Sequence, residues 1–383
     1  MARGDAFLEE ALEPSTVRLY RSHWGRFVVW CEDNEFTPET PSERTIVAFV
    51  EHLVKGLRLS LSSVSVALTA LHHHFRFDPV NPVNSARVKA ARRAAGKVAP
   101  SPVPKKPITS VVLGRIAAKI VPLARASGKG ALKWVRDWAM ILLAHRSMIR
   151  RSEIVGLRNS DVIWTRFNAS DPDAALWPQA MIDCDMMILR IRSSKTAPTS
   201  RKADPDSEHG TSVIVGPHVN PDLCPVRWCR RLQVLNVRDI GSGWFFPNVS
   251  GAKTDRLNQL SGATVNFAVK RAVELIGLKP SDFGAHSTRR GAATEAFRKA
   301  IDIRIVKDMG RWRSDCVYAY IDDVTGNQLE FQRVMGGLAG VPSAPRLTAG
   351  SGGGAAGAST AADVDCDDEL SIMDDEGGGI SAV

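Results

Sequence analysis

Apolar side chains in the first hundred residues recur every three or four positions, which is the spacing of one face of an α-helix. Val64, Leu68, Leu71 and Phe75 show this pattern within a single segment. The repeat predicts four helices, near residues 15–31, 42–56, 64–75 and 84–97. Together they predict an N-terminal helical domain over residues 8–97.

The fourth predicted helix differs from the other three because it has few large apolar residues and many cations. The cations are Arg87, Lys89, Arg92, Arg93 and Lys97. A helix with little to bury and this much positive charge is suited to contact phosphates, although a solvated surface face has the same composition. These five side chains are therefore candidate nucleic-acid contacts.

Prolines at positions 100, 102, 104 and 107 dominate the segment that follows. Proline at this density excludes a helix and favours extended backbone, so residues 98–107 are predicted to form a semi-rigid linker of roughly 30 Å. Lys105 and Lys106 lie within it and are added to the candidate phosphate contacts.

Residues 108–340 mix helical and strand patterns and predict a second domain. The apolar segments 186–193 and 211–216 flank a polar, turn-rich stretch, which is typical of a β-hairpin. Helices are predicted near residues 110–126, 131–146, 151–157, 222–235, 263–276, 284–300 and 302–309. The predicted fold class is therefore mostly α with a small antiparallel β-sheet (α+β). Residues 341–383 are Gly/Ala-rich and then acidic, which predicts a disordered tail because they cannot bury a core.

The net charge of the chain is +9, and residues 1–340 are more basic still, because eight acidic residues and one arginine lie after residue 340. This charge favours a polyanionic partner, for which nucleic acid is the usual candidate. No apolar run is long enough for a membrane span, and residues 1–10 lack the apolar core of a signal peptide, so we expect a protein that is not secreted. The six cysteines form no metal-binding pattern, and we expect neither a metal ion nor a small-molecule cofactor.

Cleaving a phosphodiester with a side chain requires fixed cations around the phosphate, a nucleophile, and groups that move protons. Arg150 and Glu153 stand three residues apart, so on a helix they share one face and the carboxylate can hold the guanidinium. His286 and Arg289 have the same spacing near a predicted helix start, which favours an anion. Either pair alone is more often an ordinary helical surface pair.

Lysine and tyrosine supply the remaining candidates. Lys195 follows the predicted strand 186–193, where it can reach into a groove and deliver a proton, although such a lysine is more often exposed. Of the three tyrosines, Tyr20 falls in the apolar stripe of the first helix, and Tyr318 and Tyr320 follow the segment GRWRSD. Two residues apart on a helix, the last two point to nearly opposite sides, so only one can enter a given site.

The order of these elements along one domain is more informative than any one of them. Arginine, lysine, His-x-x-Arg, tryptophan and tyrosine follow one another in the stretches RRSEIVGLRNSDV, RSSKTAPTSRK, AHSTRRGAAT and MGRWRSDCVYAYI. This order resembles the tyrosine recombinase (phage integrase) family over about residues 10–335. The N-terminal helices, including the basic one, resemble the core-binding domain of that family.

The resemblance implies a site-specific recombinase that cleaves and rejoins double-stranded DNA through a 3′-phosphotyrosyl intermediate, without metal or ATP. The helical domain and the catalytic domain are expected to form a C-shaped clamp around the DNA. A homotetramer on two DNA sites is implied as well. The expected location is the nucleoid of a bacterial cytoplasm, or the nucleus if the chain comes from a eukaryotic element.

The family's catalytic roles are carried over only to the positions that match. Arg150 and Arg289 would clamp the phosphate oxygens, and Lys195 would protonate the leaving 5′-hydroxyl. His286 would hydrogen-bond the phosphate and assist the tyrosine's proton. Tyr320 would be the nucleophile.

The remaining positions support these groups or compete with them. Glu153 would hold Arg150. Trp312 would line the pocket, but it precedes Tyr320 by eight residues, whereas Arg311 has the family's usual spacing of nine, so either can occupy the His/Trp position. Lys202 is the alternative to Lys195, and Tyr318 is the alternative nucleophile. Strand relaxation of the topoisomerase IB type, and a retired integrase that only binds DNA, are the alternative functions.

Overall fold

The computed structural model describes residues 12–101, 103–126, 130–166, 185–192, 211–235, 243–250, 253–255, 258–312 and 314–321. The chain divides into two compact units, one ending at Val103 and one beginning at Pro104. The division falls inside the predicted linker. Each unit is described by itself.

Unit 1, as far as it is described, consists of four α-helices and two short turns of other helix types. The helices are α1 (Pro14–Asp33), α2 (Glu43–Glu51), α3 (Leu61–His74) and α4 (Ala86–Val98). A π-helical turn, His52–Gly56, prolongs α2, and a 3₁₀ turn, Pro82–Asn84, precedes α4. The four helices predicted from the hydrophobic repeat are confirmed.

Serine side chains begin three of these helices. Ser42, Ser60 and Ser85 each accept a hydrogen bond from the backbone N–H three residues further on. Each such bond satisfies one of the N–H groups that a helix start leaves without an intrahelical partner. Helix starts in unit 1 are therefore readable from local sequence.

The apolar faces of the four helices meet in one core. Phe27, Phe49, Leu53, Val64 and Leu71 are among its fully buried members. The core leaves the cations of α4 outside, because that helix turns only Val88 and Ala95 fully inward.

His23 lies in α1 with only 4% of its surface exposed, and neither ring nitrogen has a hydrogen-bond partner among the described residues. Burial, and then the charge of Arg26, lowers the pKa of His23 from 6.5 to about 4. His23 is therefore protonated near pH 6.5 in the unfolded chain but only near pH 4 in the folded chain. The free energy of unfolding falls as pH falls from about 6.5 to about 4.

Replacing His23 with leucine is expected to stabilise the protein by about 1–2 kcal/mol at pH 7, because it removes two unsatisfied buried polar atoms. The advantage of the variant is expected to grow between pH 6.5 and pH 4. Thermal unfolding of both proteins at pH 7 and pH 5 measures this. A melting-temperature gap that narrows at pH 5 contradicts the assignment.

Unit 2 surrounds a central helix. Its described α-helices are α5 (Ser110–Arg125), α6 (Ala131–Ser147), α7 (Arg151–Val155), α8 (Pro225–Leu235), α9 (Gly262–Glu274), α10 (His286–Arg298) and α11 (Ile303–Gly310). Helix α6 packs against α5, α8, α9 and α10, and for this reason it is buried around most of its circumference. Short 3₁₀ helices cover Asn159–Asp161, Pro221–Leu223, Pro280–Asp282 and Asp315–Tyr320. All seven helices predicted for this region are present.

A three-stranded antiparallel sheet in the order β1-β2-β3 flanks these helices. Its strands are β1 (Val162–Arg166), β2 (Asp185–Ile191) and β3 (Thr211–Val215). Val162 pairs with Leu189, and Leu189 pairs with Val213, so apolar side chains align across the sheet on its buried face. The predicted hairpin of β2 and β3 is confirmed, as is the fold class of mostly α with a small antiparallel sheet.

Two parts of the sheet architecture were not predicted. Strand β1 follows directly on a 3₁₀ turn and alternates weakly, so its pairing with β2 decides its structure. The short hairpin of β4 (Asn248–Ser250) and β5 (Lys253–Asp255) was also missed. The predicted tail over residues 341–383 lies outside the described residues. No described helix combines the length and the apolar character that crossing a membrane demands.

The first residues of unit 2 are fastened along α10 and the turn before it. Lys106 donates its backbone N–H to Asp282 O, and Ile108 donates its own to Ser287 O, both at 2.8 Å. Ile108 is fully buried and its carbonyl presses on Gly291, where a Cβ would stand 1.8 Å from the oxygen. The glycine is required by this close backbone approach.

Candidate active site

Arg150 stands where the chain turns out of α6 and enters α7. Met148 ends α6 in the left-handed conformation, with φ of 49°. Arg150 is the N-cap of α7 and lies just outside the helix, which corrects the expectation that it shares a helical face with Glu153. The pair forms nevertheless: Glu153 accepts hydrogen bonds from the backbone N–H of Arg150 at 2.7 Å and from its guanidinium at 3.1 Å.

Arg289 lies in the first turn of α10 and is 2% exposed. Its two terminal nitrogens donate to the carbonyls of Met148 and Gly310, each at 2.5 Å. One side chain thus holds the turn before Arg150 and the end of α11 together. Each terminal nitrogen carries a second N–H that these bonds do not use.

The tyrosine segment follows a sharp turn. Arg311 ends α11 in the left-handed conformation, with φ of 56°, and a 3₁₀ helix then runs from Asp315 to Tyr320. Ser314 caps this helix by accepting from the backbone N–H of Cys316. Tyr318 is 54% exposed, whereas Tyr320 packs against a second, smaller cluster of buried hydrophobic residues in unit 2.

The indole of Trp312 contacts both Arg289 and Tyr320. The guanidinium carbon of Arg289 lies 4.0 Å from the centroid of the indole, and the Tyr320 ring lies 5.2 Å from it. Gly310 makes room for this arrangement, because a Cβ there would stand 2.0 Å from the indole. The indole Nε1 is buried without a hydrogen-bond partner among the described residues.

His286 faces the tyrosine from the first position of α10. Its Nδ1 lies 3.5 Å from the hydroxyl of Tyr320, at the limit of a hydrogen bond. The Tyr320 ring in turn lies 5.6 Å from the Arg289 guanidinium carbon. The sequence elements 286–289 and 312–320 therefore meet at one place.

Arg311 completes the cluster from the other side. Its guanidinium donates to Glu153 at 2.5 Å and to Met309 O at 3.2 Å, and its side chain is 7% exposed. Glu153 therefore joins Arg150 and Arg311, which are far apart in the sequence.

The charges of this cluster are strongly coupled. Burial opposes ionisation of Glu153, but the positive charge of Arg311, the backbone N–H of Arg150 and the Arg150 guanidinium hold its pKa below the usual value. Burial, and then the charge of Arg150, lowers the pKa of Arg289 from 12.5 to about 10, so it stays protonated at neutral pH. Three guanidiniums around one carboxylate leave an excess of positive charge in a region of low dielectric, which favours a bound anion.

The chain is similar in sequence or in fold to known integrases and recombinases. No family model matches the chain. The chain is 27% identical over 322 residues to a protein named integrase/recombinase XerD homologue from Selenomonas ruminantium, covering 82% of this chain and 83% of that protein. The XerH site-specific recombinase in a post-cleavage complex with palindromic difH substrate superposes with a TM-score of 0.52 at 14% identity, over 79% of this chain and 75% of that one. The Tn1549 transposon integrase in complex with transposon right end DNA gives 0.51 at 11% identity, over 86% and 97%.

The chain is similar to an integrase/recombinase in sequence and to two recombination enzymes in fold. The relative in sequence spans both units, and the two solved structures share the fold. The order of motifs in the sequence and these similarities indicate the same family, the tyrosine recombinases.

Two candidate acids, Lys195 and Lys202, lie outside the described residues. The strand that leads towards Lys195 ends in a described contact. Arg192, directly after β2, donates to the buried carboxylate of Asp161, which also accepts from the backbone N–H of Arg158 at 2.9 Å. This contact anchors the end of β2 to the turn that begins β1.

A polar cluster that sequence reasoning missed lies behind the site. Ser110 at the start of α5 donates to Glu295 of α10, and His145 of α6 lies 3.4 Å from the same carboxylate. Burial opposes ionisation of Glu295, but its hydrogen bonds with His145 and Ser110 lower its pKa to about 2. The cluster joins three helices that carry or support Arg150 and Arg289. Spacing gives no signal for it, because its members are far apart in sequence.

The candidate DNA contacts are all at the surface of the unit that carries them. On α4, Arg87 pairs with Glu43 at 3.0 Å, and Arg92 donates to the Ser65 hydroxyl at 3.1 Å. The exposed side of the helix also presents Lys89, Arg93 and Lys97. In the linker, Lys105 donates to Ser281 O and Lys106 pairs with Asp282, each at 2.8 Å. These two lysines therefore have protein partners in addition to any DNA contact.

Proposed function

We propose that this protein is a tyrosine recombinase that cuts and rejoins double-stranded DNA at specific sites, with Tyr320 as the nucleophile. The observation that carries the proposal is the convergence of Arg150, His286, Arg289 and Tyr320 in one cluster. An excess of buried positive charge stands beside a phenol hydroxyl, and an anion of the size of one phosphodiester satisfies both.

The chemistry follows from this placement. The Tyr320 oxygen attacks the phosphorus, a P–O bond to tyrosine forms, and the bond from phosphorus to the 5′-oxygen breaks. The tyrosine's proton passes to His286, and the 5′-oxygen leaves as a hydroxyl after protonation by Lys195. The 3′-phosphotyrosyl bond keeps the energy of the broken bond, so rejoining needs no nucleotide cofactor.

Arg150 and Arg289 stabilise the negative charge that grows on the non-bridging oxygens in the transition state. The unused N–H groups of Arg289 suit this role, because its other donors already fix the guanidinium in place. Trp312 stacks on that guanidinium and packs against the Tyr320 ring, so we assign the His/Trp position to Trp312.

The solved relatives include recombinase complexes with their DNA substrates. By analogy, we assign this protein double-stranded DNA as substrate. A homotetramer on two sites is the working form that the family resemblance implies. Its place of action is then the compartment that holds the DNA, the bacterial cytoplasm or the eukaryotic nucleus.

Covalent trapping tests the proposal. A pool of nicked duplexes with random sequence around the nick is incubated with the protein in EDTA, and adducts are separated by denaturing electrophoresis. We expect a protein–DNA adduct at Tyr320 by mass spectrometry, and the trapped DNA reveals the cleavage site. Absence of an adduct from all pools contradicts cleavage by tyrosine. Relaxation of supercoiled plasmid by the monomer, without a preferred trapped sequence, would favour strand relaxation over recombination.

The basic side of α4 is expected to supply sequence-independent affinity. Arg93 and Lys97 form no ion pair within the described residues, so both are available to phosphates. We expect Arg93→Gln with Lys97→Gln to weaken binding to any duplex and to reduce the slope of log K against log salt by about 2, because each phosphate contact contributes about 0.9. Fluorescence anisotropy at several salt concentrations measures this slope.

Arg87→Gln is the matched control for the α4 prediction. It removes one positive charge from the same helix, but a charge that already pairs with Glu43. We expect its salt slope to stay within about 0.5 of wild type. Equal effects of the control and the double variant, per charge removed, would show that net charge matters and the α4 surface does not.

A further inference from the structure

The contact between Arg311 and Glu153 joins two parts of the active site that the chain separates by 158 residues. Arg311 belongs to the segment that carries Tyr320, and Glu153 belongs to the helix that Arg150 caps. The catalytic scheme above assigns no role to Arg311. Its spacing from Tyr320 suits a phosphate ligand, but its guanidinium has other partners in the structure.

Both hydrogen-bonded nitrogens of Arg311 end on protein groups, Glu153 and Met309 O. The left-handed backbone at Arg311 turns this side chain to one side and the next residue, Trp312, to the other. Trp312 then takes the place against Arg289 and Tyr320. The structure thus separates two tasks that the sequence left to either residue.

Glu153 holds both neighbours by charge. Its side chain is 1% exposed and accepts from Arg150 at 3.1 Å and from Arg311 at 2.5 Å. With Arg311 removed, the buried carboxylate is left to Arg150 alone and draws that guanidinium away from a phosphate. With Glu153 removed, two buried guanidiniums repel each other with no anion between them.

We infer that Arg311 is a positioning residue that acts on Arg150 through Glu153. This buried bridge, Arg150–Glu153–Arg311, ties the docking of the tyrosine segment to the placement of the phosphate-binding arginine. Arg150 reaches its working position when the segment with Tyr320 is seated, and both relax when it is not. The inference rests on the proposed function and adds a coupling between nucleophile and phosphate clamp.

A charge-neutral substrate shows whether the loss of an arginine acts on the charge of the phosphate. A methylphosphonate at the scissile position removes the negative charge that a phosphate ligand stabilises. Loss of an arginine that touches the phosphate is therefore relieved with this substrate, and so is loss of an arginine that only places Arg150. An Arg150→Met background separates the two roles, because a residue that acts through Arg150 has little further effect there. The matched variants are Arg311→Met and Arg289→Met, each made in the wild-type and in the Arg150→Met background and assayed on the duplex recovered by covalent trapping.

We expect Arg311→Met to slow adduct formation about 100-fold on phosphate in the wild-type background, as displacement of a catalytic group does, and less than about threefold in the Arg150→Met background. Arg289→Met should be slow on phosphate in both backgrounds and relieved at least about tenfold on methylphosphonate. Arg311→Lys should recover most of the wild-type rate, because it keeps the charge that Glu153 requires. A loss from Arg311→Met that is as large in the Arg150→Met background as in the wild-type background overturns the inference.

A double-mutant cycle tests the bridge itself. The double variant Glu153→Gln/Arg311→Met removes both members of the ion pair. Its rate should be about ten times the rate expected if the two single losses multiplied. Its melting temperature should fall by less than the sum of the two single decreases. Losses that simply multiply in rate and add in melting temperature overturn the coupling. A wild-type protein that forms no Tyr320 adduct on either substrate refutes the proposed function, and the inference fails with it.

Discussion

Tyr320→Phe is expected to abolish the covalent protein–DNA adduct and to leave DNA affinity within about twofold of wild type. The variant loses only the hydroxyl that lies beside His286, and the ring that packs on Trp312 is kept. Removing a nucleophile costs at least about 10³ in rate, since the covalent bond to DNA forms through its oxygen. Denaturing electrophoresis of nicked duplexes measures the adduct, and anisotropy measures binding.

Tyr318→Phe is the matched control for this prediction. It removes the same hydroxyl two residues earlier, from a ring that is mostly exposed on the other side of the 3₁₀ helix. Wild-type trapping by Tyr318→Phe together with none by Tyr320→Phe supports the assignment of the nucleophile. The reverse pattern would move the nucleophile to Tyr318.

Gly291→Ala is expected to destabilise the protein by at least about 3 kcal/mol. A Cβ at this position would lie 1.8 Å from the carbonyl oxygen of Ile108, and that oxygen belongs to backbone held by the bond from Ile108 N–H to Ser287 O. Both contacting groups belong to the backbone or are fixed to it, so neither can move aside as the end of a flexible side chain can. Helix α10 and the chain beside it must therefore move apart. The expected fall in melting temperature is roughly 6–12 °C.

Gly114→Ala controls for the general effect of adding a methyl group to a helix of unit 2. Gly114 lies inside α5, and an added Cβ there meets nothing within 4 Å. Alanine is the better helix former by about 1 kcal/mol, so this variant should be slightly more stable than wild type. Melting of both variants at the wild-type temperature would contradict the close approach of the Ile108 carbonyl to Gly291.

The effect of Gly291→Ala should extend to catalysis. Arg289 lies two residues earlier on the same helix, and its bonds to Met148 and Gly310 depend on where α10 sits. Adduct formation should therefore fall more than DNA binding does, since a displacement near 1 Å costs about 100-fold in rate.

Local sequence was sufficient for the helices and for the list of candidate groups. The periodicity of apolar side chains and the serine caps of α2, α3 and α4 lie within a few residues of the structure they specify. The order of the arginine, lysine, His-x-x-Arg and tyrosine motifs indicated the family, because the catalytic residue types and their order can be read without knowing any distance. The prolines of residues 98–107 predicted a linker, and the two compact units meet between Val103 and Pro104.

Pairings between distant segments were out of reach of such patterns. Strand β1 depends on β2 for its existence, and the cluster of Ser110, His145 and Glu295 joins three helices. The spacing of apolar residues shows which side of a helix or strand faces the core, but it does not show which other helix or strand packs against that side.

The amino-acid pattern alone established the helices, the excess of positive charge and the kinds of group available to attack a phosphate. The proposed choice between neighbours, Tyr320 over Tyr318 and Trp312 over Arg311, rests on the fold. In both pairs the residue types are compatible with either role, and backbone direction separates them: a left-handed turn at Arg311 and a 3₁₀ helix after it. These conformations are stabilised by contacts with Glu153, Arg289 and Gly310, which the folded chain alone brings together.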